Sequence, residues 1–487
     1  MVLACGGGDA APSRYPASST LAARCAAPRA ASGDAQGSVG DEKAWVRSWM
    51  DELYLWYREV PEVDPAGFST PGDYFAALRT PAVTPSGHPK DRFHFTYPTA
   101  EWTALIQTGI DLGYGLQWAL RSPTVPRDVV VAYDEPDTPA ASQGIGRGAR
   151  LILADGVDVV NTTDPGEVAA INAALFPSAE GETHSFVFED LSGATFPATL
   201  VAGTYASAPV QNVRTIDPGD GQGRVGYLLF NDHVATAEAA LVDAISALQA
   251  AGVSDLVLDL RYNGGGYVDL ASEVAFMIAG PAATAGKTFE QTVFNDKYAG
   301  KDPVTGQPLA SLGFESTTRG FSLAPGQALP TLALPRVFVL TGSGTCSASE
   351  SIINGLQGVD LRVVQIGSPT CGKPYGFYPR DNCGTTYFAI QFAGVNAKGF
   401  GSYADGFTPG GTGDASPPGC AVADDFTHAL GDREEARLAA ALHYRATGGA
   451  CPGAAPAVSA RARVLRRPAA DAVVPKSPLR TNRILRM

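Results

Sequence analysis

The chain has 487 residues, of which 45% are hydrophobic and 17% charged, as in a globular protein rather than a disordered one. It is long for a single hydrophobic core, so two to three domains are expected. A net charge of −13 argues against a nucleic-acid partner, and no stretch approaches the roughly 18 apolar residues that span a bilayer.

The N-terminal leader, residues 1–40, is rich in Ala, Gly and Ser and is predicted to be disordered. Its V-L-A-C-G stretch looks like a bacterial lipobox, which makes Cys5 a candidate lipidation site. Only four residues precede Cys5, too few for a signal peptide. We therefore expect either a start further upstream or a trimmed chain. The alternative is a chance cysteine in a low-complexity leader.

Cysteine usage is compatible with an exported protein. The seven cysteines are at positions 5, 25, 346, 371, 383, 420 and 451. If Cys5 carries lipid, six remain, an even number that permits disulfides. Spacing does not determine their pairing. The sequence contains no C-x-x-C pair and no Cys/His cluster, which argues against a zinc site.

Residues 41–105 are predicted to form a small helical domain. Its first helical segment carries Trp45, Trp49, Leu53 and Trp56 at spacings of three and four. Aromatic residues at this spacing indicate a buried core face.

Residues 106–204 alternate short apolar strands with turns, which predicts a small β-rich module. The stretch "PAASQGIGRGARLILADGVDV" resembles a PDZ domain, with Ala149 where that family usually has Asp. The resemblance implies a carboxylate-binding loop that consists of Gly113, Tyr114, Gly115 and Leu116. PDZ domains bind an extended C-terminal peptide by adding it to a sheet edge.

Residues 205–451 have a βαβ pattern that predicts an α/β domain with a parallel sheet. The strands are "RVGYLLF", "DLVLDLR", "RVFVLT" and "LRVVQIG". The tail, residues 452–487, contains eight Lys or Arg residues and one Asp, and it is predicted to be disordered. A basic patch that seeks an anionic surface is the alternative for this tail.

Three strand ends carry candidate chemistry, because ligands of open α/β sheets bind at the carboxyl ends of the strands. One strand runs into Gly264–Gly266, a second ends shortly before Ser347, and a third is followed by Lys373. A Ser becomes nucleophilic when a base takes its proton, and a Lys serves if burial lowers its pKa from about 10.4 towards about 7–8. Backbone N–H groups of the glycine loop and of Ala348 would stabilise an oxyanion. The alternative is ordinary helix capping, because Ser347 and Glu350 form an S-x-x-E capping box.

These motifs resemble peptidase family S41, the C-terminal processing proteases. "TCSASE" is similar to the family's S-A-S-A-S-E, "TCGKP" to T-F-G-K-G and "DLRYNGGG" to D-L-R-x-N-x-G-G. The resemblance extends over residues 41–451 and implies Ser347 as nucleophile and Lys373 as general base. It also implies that Gly265 and Ala348 share the oxyanion hole. The implied fold class is α/β and multi-domain: a small N-terminal helical domain, a PDZ-like β-rich domain, and a crotonase/ClpP-like protease core with a parallel sheet.

The sequence departs from the family pattern at several places. Cys371 replaces the usual Phe, Pro374 replaces a Gly, and the Ser-to-Lys spacing of 26 is one longer than in the best-known members. The supporting aspartate of some members has no match in register: Asp360 lies near, but Gly358 occupies the position by count. The nucleophile and the base are retained.

We therefore predict a serine endopeptidase without cofactor or metal that acts on proteins or peptides with accessible C-termini. We expect it in the bacterial cell envelope, in contact with the membrane only through a lipid anchor and without a nucleic-acid partner; no oligomeric state is indicated. Ser349 and Lys398 are interpreted as structural residues, and His233 as an alternative base. Two alternative functions are considered. One is a non-catalytic peptide- or ligand-binding protein on the same fold, and the other is a crotonase-like acyl-CoA enzyme, which would use acidic catalysts.

Overall fold

The structure, a computed structural model, describes residues 14–30, 32–108, 110–411, 416–453, 472–475 and 483–485. For residues 104–108 and 483–485 only the backbone is described. Cys5, the candidate lipidation site, and most of the basic tail lie outside the described residues.

The N-terminal region is mainly helical. Its elements are β1 (Arg24–Cys25), β2 (Ala35–Gln36), α1 (Val39–Leu53), α2 (Pro71–Ala77), β3 (Phe95–Pro98) and α3 (Thr99–Thr108). Helix α1 begins after Ser38, which forms a capping box with Asp41. The stacked rings of Trp45 and Trp49, 5.5 Å apart, are buried in the core of this region.

Ordered structure begins earlier than the sequence suggested. The leader was expected to be disordered through residue 40, but β1 and β2 pair in parallel within it. A disulfide joins Cys25 to Cys383, and the Arg29 guanidinium forms ion pairs with Asp34 and Asp381. These contacts fix the second half of the leader to the main body of the protein.

The second region is a β-rich module. Its elements are β4 (Ile110–Gly113), β5 (Leu116–Ser122), β6 (Asp128–Asp134), α4 (Pro139–Ser142), β7 (Arg150–Ala154), β8 (Val157–Asp158), α5 (Pro165–Leu175), β9 (Thr183–Glu189), β10 (Thr195–Val201) and β11 (Gly203–Ala206). The sheet has the antiparallel order β10-β9-β7-β6-β5, with β8 paired to β7. Strand β5 is therefore at one edge. Strands β4 and β11 pair where the chain enters and leaves the module.

The third region contains the remaining helices. Its elements are β12 (Val210–Ile216), β13 (Val225–Phe230), α6 (Ala237–Ala250), β14 (Asp255–Asp259), β15 (Gly265–Tyr267), α7 (Val268–Ala279), α8 (Pro281–Thr284), β16 (Thr288–Phe294), β17 (Leu312–Gly313), β18 (Arg336–Thr341), α9 (Ala348–Gly358), β19 (Arg362–Gly367), β20 (Tyr375–Gly376), β21 (Arg380–Asn382), β22 (Thr385–Phe388), β23 (Phe392–Val395), β24 (Gly419–Ala421) and α10 (Ala436–Thr447).

Its main sheet has the order β12-β13-β14-β18-β19-β24, and every neighbouring pair except β12–β13 is parallel. Helices α6, α7 and α9 cover one face and α10 covers the other, so β13 and β14 are buried throughout. The predicted mixed α/β architecture with a parallel sheet is confirmed. The carboxyl ends of β14, β18 and β19 meet at one edge.

Smaller sheets attach to this core. One has the order β17-β16-β23-β20, and another, β21-β22-β3, joins the N-terminal region to the core. A short strand of the tail, β25 (Arg483–Leu485), pairs with β15. A disulfide joins Cys420 to Cys451 beside the main sheet. Among the described residues, no helix is both long and apolar enough to cross a membrane.

Candidate active site

Ser347 lies in the turn between β18 and α9, in a backbone conformation that is rare for a residue with a Cβ atom. Its φ is 62° and its ψ is −118°. Such a conformation costs on the order of 1–3 kcal/mol and persists only where neighbouring contacts hold it. Here the Cys346 N–H donates to the carbonyl of Asn263 at 3.1 Å, and the Thr345 hydroxyl donates to the carbonyl of Leu260 at 2.8 Å. The turn is thus held against the loop that follows β14.

The Ser347 hydroxyl is fully buried, and its Oγ has no hydrogen-bond partner among the described residues. Ser347 and Glu350 have the arrangement of a capping box. The hydrogen bond that is made runs from the Ser347 N–H to Glu350 Oε2 at 2.9 Å. Buried hydroxyls are normally paired, so an Oγ without a partner is unusual at this position.

Lys373 lies in the loop between β19 and β20 and has no exposed surface. Its Nζ is 4.3 Å from the ring centroid of Phe377 and 5.2 Å from that of Phe93, which precedes β3. The N-terminal region therefore supplies part of the wall around the amine. Lys373 is therefore not a surface lysine.

The carboxylate of Glu350 connects the segments that carry the two candidate catalytic residues. Its Oε2 accepts from the N–H groups of Ser347 and Lys373, at 2.9 and 2.8 Å. Its Oε1 accepts from the Gly372 N–H at 2.8 Å and from the Thr370 hydroxyl at 2.5 Å. Burial raises the pKa of Glu350, whereas the hydrogen bonds it accepts favour its charged form. From the sequence, Glu350 was interpreted only as a capping residue. The S-x-x-E spacing was the signal that pointed to this residue.

A disulfide joins Cys346 to Cys371 across the same site. Cys346 immediately precedes Ser347, and Cys371 lies two residues before Lys373. The cysteine that replaces the usual Phe of the family motif thus links the segments that carry Ser347 and Lys373 covalently. The sequence allowed this pairing but could not select it.

The glycine loop between β14 and β15 lies beside the turn of Ser347. The Gly265 N–H donates to Asn263 Oδ1 at 3.0 Å, so in this structure it is engaged within its own loop. Gly266 has a φ of +147°, and a Cβ there would lie 2.2 Å from the carbonyl oxygen of His233. Only glycine fits this approach. Ala348, the other expected oxyanion donor, is buried as the first residue of α9.

His233, the alternative base, lies next to β15, on the side of that strand opposite to β25. Its Nδ1 is 2.9 Å from Asn263 Oδ1, and its ring packs on that of Phe230. Burial lowers the pKa of His233 to about 3. The imidazole is therefore neutral near pH 7 and weakly basic.

A buried ion network positions the glycine loop. The Arg261 guanidinium bonds to Asp259, to Glu435 at 2.8 Å and to Asp424 at 2.7 Å. Arg147 of the β-rich module reaches the same oxygen of Asp424 at 2.7 Å. Although burial acts to raise it, the pKa of Asp424 is held well below its usual range by the two guanidinium groups. Sequence reasoning missed this connection because its members are far apart in the chain.

Residues 113–116, the predicted carboxylate-binding loop, connect β4 to β5. The Tyr114 hydroxyl donates to the carbonyl of Ala174 at 2.9 Å. Gly115 has a φ of +81°, and a Cβ there would lie 2.2 Å from the Thr138 hydroxyl. The side chains of this loop pack into the module's own core.

The remaining candidates occupy supporting or surface positions. The Ser349 hydroxyl donates to the Asn263 carbonyl at 3.1 Å, which is a structural contact. Asp360 is exposed at the far end of α9, where it forms an ion pair with Lys398 at 2.5 Å. Asp360 is therefore not placed to support Lys373.

Family comparisons match the regions that form this site. Residues 224–379, which include Ser347, Lys373 and the glycine loop, match the model described as peptidase family S41. Residues 41–96 match the model of the peptidase S41 N-terminal domain. The chain thus contains the two domains of peptidase family S41 that these models describe.

One curated protein and one solved structure are similar to this chain. Over 262 residues the chain is 26% identical to a carboxyl-terminal-processing protease of Picosynechococcus sp., and the match covers 54% of each chain. It thus spans about half the length of this curated relative. A crystal structure of an S41 protease from Bacteroides fragilis matches with a TM-score of 0.60 and 22% identity, over 83% of this chain and 97% of that one. At this identity the likeness shows the fold.

Proposed function

We propose that this S41 protein is a serine endopeptidase in which Ser347 is the nucleophile and Lys373 the general base. The observation that carries the proposal is the shared carboxylate of Glu350, which holds the backbones of both residues while both side chains are buried. A hydroxyl without a partner and an amine among aromatic rings are the two groups that a Ser/Lys mechanism needs.

In this mechanism the neutral amine of Lys373 takes the Ser347 proton as Oγ attacks a peptide carbonyl. A tetrahedral oxyanion forms and collapses to an ester on Ser347, and the leaving amine receives the proton from Lys373. A water molecule then attacks the ester by the same route and releases the new C-terminus. Complete burial of the Lys373 side chain supports this role because it keeps bulk water away from the amine.

The oxyanion needs backbone donors in the same place. The Ala348 N–H belongs to the first turn of α9, whose free N–H groups and positive dipole end favour negative charge. Gly265 contributes only if its N–H exchanges its present bond to Asn263 for the oxyanion. One such donor is worth about 3–4 kcal/mol in a transition state.

We further propose that the substrate is an extended polypeptide whose C-terminal segment is recognised by the β-rich module. The module resembles a PDZ domain, and β5, the strand after residues 113–116, is at a sheet edge. The bond from Arg147 to Asp424 supports a physical connection between the module and the glycine loop. Three disulfides support a cell-envelope location, since disulfides persist in oxidising compartments.

The test compares wild type with Ser347→Ala and Lys373→Met on an unstructured protein with an apolar C-terminus. Lys398→Met, a change at an exposed lysine, is the matched control. We expect both active-site variants to be folded and inactive, and the control to cleave like wild type in a mass-spectrometric assay. If wild type binds the substrate C-terminus but cuts nothing, the protein is a peptide-binding protein instead. If Lys373→Met still cuts, the base lies elsewhere.

A further inference from the structure

The chain's own tail contributes a strand beside the candidate active site. Strand β25 pairs in parallel with β15, in the register Gly265–Arg483, Gly266–Ile484 and Tyr267–Leu485. Strand β15 contains Gly265, one of the residues expected to assist the oxyanion. A polypeptide segment in extended form therefore already lies along the glycine loop.

The hydrogen bonds of β15 show which main-chain groups face this segment. On one side, the His233 N–H donates to the Gly265 carbonyl at 3.3 Å and the Tyr267 N–H donates to the His233 carbonyl at 3.0 Å. Because consecutive residues of a strand point their N–H and C=O groups to opposite sides, those of Gly266 face β25. In parallel pairing, Gly266 then bonds to the carbonyl of Arg483 and to the N–H of Leu485.

The segment lies between the two halves of the catalytic machinery. Cα atoms of β25 come within 8 Å of those of β20, which begins two residues after Lys373. On its other side is β15, which begins two residues after Asn263, the residue that anchors the turn of Ser347. An extended substrate that paired with β15 would occupy the same space as β25.

A second contact ties the tail to the β-rich module. The Leu120 N–H donates to the Val473 carbonyl at 2.8 Å, and the Val473 N–H donates to the Leu120 carbonyl at 3.0 Å. Leu120 belongs to β5, the edge strand that follows the predicted peptide-binding loop. The tail thus bonds through its main chain to two strand edges, one in each region that we propose to bind substrate.

We propose that the edge of β15 that β25 covers is the substrate-binding strand, that it takes an extended polypeptide in parallel register, and that the tail segment Arg483–Leu485 is its intramolecular occupant. This inference rests on the proposed function in one respect, that the occupant competes with substrate. The recognition is by main-chain hydrogen bonds and is therefore tolerant of sequence. Charge assists it, because the tail has eight basic residues and one acidic residue, whereas the whole chain has a net charge of −13.

Two variant pairs test this docking without relying on catalysis. In a Ser347→Ala background, Val473→Pro/Leu485→Pro removes both donating N–H groups of the tail, whereas Val473→Ala/Leu485→Ala retains them. Val473 is 58% exposed, so its replacement leaves the cores intact. Hydrogen exchange is read at the amides of Leu120 and Gly266. We expect protection of both amides in the alanine pair and its loss in the proline pair, and equal exchange in the two pairs overturns the proposal.

The same proteins show whether the tail competes with substrate. Binding of fluorescently labelled casein, an unstructured probe, is measured by anisotropy. A tethered segment at an effective concentration of about 1 mM and an intrinsic Kd of about 0.1 mM weakens the probe about tenfold, so the proline pair should bind it about tenfold more tightly. Equal affinity in the two pairs means that the tail does not occupy the substrate's place, and that result overturns the proposal. Hydrogen exchange and probe binding do not depend on cleavage. Absence of cleavage by wild type would therefore contradict the proposed peptidase function and leave the docking of the tail untouched.

Discussion

The main-chain N–H groups of Ser347 and Lys373 donate to the same carboxylate oxygen, Oε2 of Glu350, at 2.9 and 2.8 Å. The proposed nucleophile and the proposed base come from different loops, 26 residues apart in the chain. Their relative position is therefore set by one buried acceptor and not by the side chains that react. Any change that converts this acceptor into a donor should separate the two loops.

Glu350→Gln makes that change, because one carboxylate oxygen becomes an NH₂ group that faces N–H donors. We expect kcat to fall about 100-fold with KM little changed, since small displacements of reacting groups have effects of this size. The free energy of unfolding should fall by about 1–3 kcal/mol because buried donors lose their acceptor. Steady-state kinetics and urea unfolding measure the two effects.

Ser351→Ala is the matched control for this prediction. Ser351 lies one residue further along α9 and bonds to Glu290 at 2.8 Å, not to Glu350. It should lose stability with kcat unchanged. Equal losses of kcat in the two variants would mean that Glu350 acts only through general stability of the helix.

The strain at Ser347 predicts opposite effects of glycine at two neighbouring positions. At Ser347 the φ of 62° favours glycine, so Ser347→Gly should unfold with a free energy about 1 kcal/mol higher than Ser347→Ala. At Ser351, inside α9, glycine should be about 1 kcal/mol less stable than alanine. Denaturant titrations of the four variants measure the sign at each position, and a lower stability of Ser347→Gly than of Ser347→Ala refutes the strain.

Much of the site follows from where the strands end. Ser347, Lys373 and the glycine loop each follow a buried strand, and the parallel sheet brings those ends together by topology alone. The capping spacing of Ser347 and Glu350 was also visible in the sequence. The role of Glu350 in joining the two loops was not visible in the sequence. The groups that Glu350 binds around Lys373 belong to a loop, and a local sequence pattern does not predict the path of that loop.

Other features depend on contacts that no spacing encodes. Six cysteines allow many pairings, so the link between Cys346 and Cys371 appears only once both loops are placed. The tail was predicted to be disordered from its composition. A strand at residues 483–485 forms because β15 offers main-chain partners, which composition does not reveal.

The two core disulfides with short loops should differ in their effect on catalysis. Cys346–Cys371 and Cys420–Cys451 close segments with separations of 25 and 31 residues. The loop-entropy model gives about 3.5 kcal/mol for each, so both double-alanine variants should lose similar stability. Only the first pair ties Ser347 to Lys373, so only its removal should lower kcat, by about tenfold or more. Thermal unfolding and initial rates of the two variants decide this; equal kcat would show that Glu350 suffices to hold the loops.

The buried imidazole of His233 makes stability depend on pH in a defined direction. Burial lowers its pKa from 6.5 to about 3, so the folded protein keeps the ring neutral while the unfolded chain binds a proton below pH 6.5. The contribution of the neutral His233 ring to the free energy of unfolding is fully present above pH 6.5. It is lost as the pH falls towards 3, at up to about 1.4 kcal/mol per pH unit. Between pH 7 and pH 5 the wild type should therefore lose about 2 kcal/mol more than His233→Gln. His443→Gln, a change at an exposed histidine of α10, should follow the wild type. Urea unfolding at the two pH values measures the difference, and kcat of His233→Gln within tenfold of wild type would separate this structural role from that of a catalytic base.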